Sequence, residues 1–190
     1  MADLPAFAAW RHLEAREGFE VLFPARDGDG YRFRGHTSAV EAGEAWAVSY
    51  SLTVDAAWTT RAAHVVSRTA SGERAVTLER RGEGGWLVDG EPAGLEDCLD
   101  VDLESSAFTN ALPVHRLGLR PGERADAPAA YVRALDLSVE RLDQTYERLA
   151  DDGPRLRYDY AGPRFGYRDV LEYDHHGLVV TYPGLAVRVE

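Results

Sequence analysis

The stretch from Glu44 to Val54 constrains the fold more than any other part of the chain. Its even positions, Trp46, Val48, Tyr50, Leu52 and Val54, are large and apolar. Its odd positions between Ala45 and Thr53 are alanine, serine or threonine. A period of two belongs to a strand with one face on a core. A strand of that length needs neighbours. Tyr31 to Val40 fits beside it, with Arg32, Arg34 and His36 on one face and Tyr31, Phe33 and Thr37 on the other. Trp58 to Arg68 and Glu73 to Arg80 read as a hairpin joined through Ser71 and Gly72, and "GWLVDG" reads as a short strand running into a turn.

Turn signals punctuate the rest. "RDGDG" at 26–30, "ASGE" at 70–73, "RGEGG" at 81–85, "DGEP" at 89–92, "DDGP" at 151–154, "DHHG" at 174–177 and "YPG" at 182–184 all have hairpin chemistry. The segment 131–149 reads two ways. Leu135, Val139, Leu142, Tyr146 and Leu149 fit a helical stripe. Leu135, Leu137 and Val139 also alternate, as do Leu142, Gln144 and Tyr146 with shifted parity, and a bulge near Glu140 and Arg141 would explain the shift. The strand reading is preferred. A return strand follows with Leu156, Tyr158 and Tyr160 on one face, then short strands at 165–173, 178–182 and 185–189. Ten to thirteen strands do not stay flat; they curl into a barrel or split into a sandwich. The expected fold is all-β, one domain over residues 1–190, a large curled antiparallel sheet forming a pseudo-barrel with at most short helices.

Charge and composition narrow the partners. The formal net charge of −11 opposes a nucleic-acid backbone or an anionic membrane surface. Every one of the 21 basic residues is arginine, which suits carboxylate and anion recognition. A single cysteine, Cys98, allows no intramolecular disulfide and no thiolate zinc knuckle, and is expected to be buried and inert. The N-terminus lacks a basic start followed by a signal-length apolar run, and no stretch is long enough to span a bilayer, so a cytoplasmic protein without stable membrane insertion is expected.

Chemistry is sought in a few places. "DVD" at Asp100 and Asp102 puts two carboxylates on one strand face, but no Gly-rich phosphate loop accompanies it, and paired acids bonded to arginine or backbone N–H are the simpler reading. His175 and His176 fall in a turn, so no metal is assigned. Ser105, Ser106 and His115 supply triad ingredients without a nucleophile elbow. "ESSAFTNALPVHRL", from Glu104 to Leu117, fits neither a clean strand nor a clean helix. It is read as a corner where Thr109 and Asn110 cap the turn while Phe108 and Leu112 plug the barrel. Tyrosines prefer sites that bury the ring and satisfy the hydroxyl, as a partly polar cavity would. Arg61 and Arg116 are expected on the concave side or paired with Asp100 or Asp102.

"GFEVLFP", "WAVSYSLTVD", "CLDVDL", "SSAFTNALPVHRLGL", "RLDQTYERL" and "GLVVTYPG" occur in this order. Over residues 10 to 189 the chain resembles the bacterial family called "putative glycolipid-binding", once a domain of unknown function. The resemblance implies a mostly antiparallel sheet folded into a pseudo-barrel, similar in architecture to lipoprotein carriers and lipid-binding half-barrels. It also implies a non-catalytic binder of a small amphipathic molecule such as a glycolipid, with no cofactor. Such a ligand needs an apolar trough, aromatic faces and hydroxyl partners. Trp46, Tyr50, Tyr146 and Tyr158 are the candidate walls, and Arg61, Asp102, Asn110, Arg116 and Gln144 the candidate polar partners. The rivals are a hydrolase or transferase acting on a lipid- or sugar-containing substrate, with a cavity histidine or carboxylate as base, and a filled barrel with no ligand.

Overall fold

The computed structural model describes residues 4–14, 16–82 and 85–189. Part of the turn expected at 81–85 therefore lies outside the described residues. The chain starts with an antiparallel meander: β1 (Ala8–His12), β2 (Glu17–Asp27), β3 (Gly30–Glu41), β4 (Glu44–Val54), β5 (Thr60–Thr69), β6 (Gly72–Arg80), β7 (Trp86–Val88) and β8 (Glu91–Pro92). Strand β4 has the predicted bounds, and its even positions are buried. The β3–β4 connection is two residues, Ala42 and Gly43, both at positive φ, as a twisted hairpin turn requires.

A second meander ends the chain: β13 (Thr145–Arg148), β14 (Leu156–Gly162), β15 (Tyr167–Tyr173), β16 (Val179–Tyr182) and β17 (Ala186–Arg188). Strand β17 pairs antiparallel with β1, so the two meanders merge. With β10 (Arg124–Asp126) alongside β13 they make one 14-stranded sheet, whose edges, β10 and β8, do not pair among the described residues. The sheet curls without closing.

The stretch between the meanders fills the curl. It holds β9 (Asp100–Leu103), a 3-10 turn at Phe108–Asn110 continuing into α1 (Ala111–Leu117), β11 (Ala129–Val132) and β12 (Val139–Leu142). Strand β11 pairs parallel with β9 and antiparallel with β12, forming a separate three-stranded sheet. Side chains of three strands, β2, β3 and β13, reach residues 105–110. Thr37 of β3 donates to the Ser105 carbonyl at 2.8 Å, and Phe33 packs on Phe108 with ring centroids 4.5 Å apart. Glu20 of β2 accepts from the Ala107 N–H, and Tyr146 of β13 donates to Asn110. Only a curled sheet brings all of these to one segment. Phe108 and Leu112 are fully buried, so the plug role expected of them holds.

Two expectations are corrected in detail. The corner at 104–117 is mostly helical, and Asn110 caps nothing with its side chain. The parity shift near Glu140 is not a bulge. The chain leaves the small sheet after Leu142 and enters the large one at Thr145, so the inward face changes with the sheet. Cys98 is fully buried, and burial pushes its thiol up to about 11.

Candidate functional site

One cavity of about 270 Å³ opens between the plug and the second meander. Its polar lining is His12 from β1, Arg16 just before β2, Glu41 at the end of β3, and Asp102, Glu104, Ser106 and Asn110 from the plug. Its apolar lining is dominated by Tyr131, Tyr160, Tyr167 and Tyr182, with Phe165, Leu142 and Leu185. Tyr160, Tyr167 and Tyr182 pack edge-on or tilted, with centroids 5.5–6.0 Å apart. Alternation explains their convergence. Tyr158 and Tyr160 share the inward face of β14, and Tyr182 follows on β16.

The floor rests on a buried network. Glu20, with no solvent exposure, accepts hydrogen bonds from the Tyr50 hydroxyl at 2.6 Å, the Ser106 hydroxyl, and the Ala107 N–H at 2.8 Å. Burial raises its carboxyl above the ordinary value, and these hydrogen bonds pull it back down. Asp102 accepts from the Thr109 hydroxyl at 2.8 Å, and the same Thr109 oxygen accepts from the Leu103 N–H. Burial first, opposed by Thr109 and aided by the charges of Asp100 and Glu104, pushes Asp102 up to about 6. At the other end, burial and then the Arg16 charge push His12 down to about 4, so it is neutral at pH 7. His12 Nε2 and Arg16 Nη1 are both buried with no hydrogen-bond partner among the described residues. Arg16 lies over the Trp46 ring at 5.3 Å and faces Glu41 at 3.7 Å.

The candidate residues sort into three groups. Asp102 and Asn110 line the cavity itself. Five stand behind its lining. Trp46 lies under Arg16, and Tyr50 under Ser106 through Glu20. Tyr146 donates to Asn110 at 2.9 Å, with Gln144 beside its hydroxyl, and Tyr158 packs edge-on against Tyr146. These five hold lining residues in place rather than forming walls. Arg61 and Arg116 stand apart from the cavity. Arg61 follows the inward Thr60 on β5, so it points outward; it is about half exposed and pairs with Asp55. Arg116 pairs with the buried Asp100 at 2.6 Å, as expected, but the pair braces α1 against β9. The polar partners expected of these two arginines are supplied instead by Asp102, Glu104, Asn110 and Ser106, with His12, Arg16 and Glu41.

The other chemical candidates also resolve. Asp100 and Asp102 share β9 but take different partners, Arg116 and Thr109. Among the described residues no group of three or more histidine, cysteine or carboxylate side chains could hold a metal ion. His175 and His176 do sit in a turn. His115 stacks flat on Trp58 at 3.5 Å, whereas Ser106 is held by Glu20.

The sequence reading missed His12, Arg16, Glu41, Glu104 and Tyr131 as lining residues. For His12 a signal existed: Ala8, Trp10 and His12 alternate onto one buried face of β1.

Residues 7–188 match the family described as "Putative glycolipid-binding". A crystal structure of a DUF1089 family protein from Pseudomonas aeruginosa is similar, with a TM-score of 0.76 and 32% identity, covering 90% of this chain and 92% of that chain. A beta-barrel-like protein of domain of unknown function DUF1849 from Brucella abortus gives a TM-score of 0.49 and 11% identity, covering 96% of this chain and 92% of that one. No curated protein matches.

Proposed function

We propose, from the premise that this chain belongs to the "Putative glycolipid-binding" family, that the cavity binds the polar head of a small amphipathic molecule. The observation that supports it is the lining. Four tyrosines face a polar set made of His12, Arg16, Asp102, Ser106 and Asn110. Aromatic faces take the C–H side of a sugar, while Asp102, Asn110 and His12 suit its hydroxyls.

Size sets the division of labour. About 270 Å³ lies just under the range of about 300–1,000 Å³ typical of drug-sized sites. That is room for a head group or a short chain segment, not for a whole glycolipid. The tail would leave over the apolar rim, where Phe165 is about half exposed beside Tyr167 and Leu185. Each methylene covered there contributes up to about 0.8 kcal/mol. Among the described residues no helix is long and apolar enough to cross a membrane.

Native mass spectrometry of gently purified protein, with lipid analysis of an organic extract, tests this reading. A stoichiometric lipid or glycolipid adduct is expected, as is saturable calorimetric binding of octyl β-glucoside. A bare mass together with no saturable binding would overturn it. One observation favours a second reading, an enzyme on such a substrate: Asp102 sits in the cavity with its carboxyl near 6, suited to acid–base work. Turnover of nitrophenyl glycosides or esters, lost in Asp102→Asn, would establish that reading.

A further inference from the structure

The carboxylates in the cavity are not equivalent. Glu41 faces Arg16 at 3.7 Å. Glu104 accepts from the Ala134 N–H at 2.7 Å and faces Arg133 at 3.6 Å. Among the described residues Asp102 has neither an arginine nor a backbone N–H as partner. One of its oxygens takes the Thr109 hydroxyl, and the other has no donor among the described residues. Yet Asp102 is only 7% exposed, and it lines the cavity. A buried carboxylate with an unfilled oxygen facing an opening invites a donor from outside.

The surroundings say which donor. Tyr131, Tyr160 and Tyr182 line the same cavity; burial above all raises their hydroxyls, and the Asp102 charge adds to it. Tyr146 and Tyr173 feel it from behind. The charges that act on Asp102 are Asp100 and Glu104, both negative. Arg16 is not among them; it is engaged at the far end with Glu41 and the face of Trp46. The Asp102 end is thus an electron-rich aromatic enclosure around one uncompensated negative charge. Tyrosine faces and a carboxylate both attract cations, and a desolvated contact of either kind gains strength. A neutral hydroxyl can fill the same oxygen, but it leaves the charge unbalanced.

We propose that the cavity selects amphiphiles whose head group carries a protonated amine, with the ammonium on the free oxygen of Asp102 among Tyr131, Tyr160 and Tyr182. The proposal rests on the binding reading above and adds the chemical class of the head group.

The test compares octyl β-glucoside with octyl 2-amino-2-deoxy-β-glucoside by calorimetry at pH 7.0, where the amine is largely protonated. The amino compound should bind at least tenfold more tightly. In Asp102→Asn, which keeps the shape and an acceptor for Thr109, that advantage should vanish, the ratio of the two affinities falling to about one whatever the variant's affinity for octyl β-glucoside. A second readout needs no variant. Between pH 7 and 5 the amine's advantage should shrink as Asp102 takes up a proton, because His12 at the other end stays neutral until about 4. Equal affinity for the two glycosides, or a preference that survives Asp102→Asn, would overturn the proposal and leave the binding reading standing. If neither compound binds and no lipid co-purifies, both fall.

Discussion

Replacing Glu20 by alanine should cost the protein about 4 kcal/mol. The carboxylate is fully buried and accepts from three donors. Without it the Ala107 N–H has no substitute, and an orphaned buried amide costs about 1–3 kcal/mol. The Tyr50 and Ser106 hydroxyls lie 3.4 Å apart and can turn towards each other, so each loses only about 0.5–1.5 kcal/mol. For a chain of this size the melting temperature should fall by about 8–16 °C. Glu20→Gln is the control. Its carbonyl oxygen can keep the Ala107 N–H, and its amide can donate to hydroxyls that reverse, so the cost should be near 1 kcal/mol. That cost should vary with pH. Burial raises the Glu20 carboxyl, so the folded protein holds this proton more tightly than the unfolded chain. Wild type therefore loses stability as pH climbs from the ordinary carboxylate value through the raised one. Glutamine does not titrate, so the penalty of Glu20→Gln should be largest at acid pH and shrink upward. Urea unfolding of both variants at several pH values supplies the numbers. An alanine cost below about 1 kcal/mol, or a glutamine cost equal to it, would refute the network as the anchor of the cavity floor.

Gly35→Ala should destabilise by about 2–4 kcal/mol in the same assay, because a Cβ there would stand 2.1 Å from Tyr50 Cζ and the Tyr50 hydroxyl is committed to Glu20. Tyr50→Phe in the Gly35→Ala background should cost less than in wild type, since the hydrogen bond is already strained there. Burial holds His115, stacked on Trp58, at about 4, so its folded value lies below its unfolded one. Its contribution should be lost as pH falls from about 6.5 to 4, by up to about 3 kcal/mol. Asp102 acts with the opposite sign over part of that window. The measurement is therefore the difference between wild type and His115→Phe, which should close as pH falls; a constant difference would contradict the assignment.

Local periodicity determined much of this protein from sequence alone. The alternation in Glu44 to Val54 settled a strand and its inward face, because side chains on a strand can only point two ways and one way was apolar. The same reasoning settled the inward faces of β3 and β14, and with them the interior places of Phe33, Tyr158 and Tyr160. The number of strands then required a curl. Tertiary structure decided the rest. Which residues line the cavity depends on β17 pairing with β1, a contact between the chain's two ends that no local pattern encodes. That pairing brings His12 of β1 and Tyr182 of β16 into one wall. Charge pairing was equally hidden. Arg61 and Arg116 both read as interior arginines, but one lies a single residue beyond an inward threonine and so faces out, and the other is taken by Asp100. Asp100 and Asp102 look alike in "DVD", yet among the described residues Arg116 fills both oxygens of Asp100, while Asp102 has a donor on one oxygen alone.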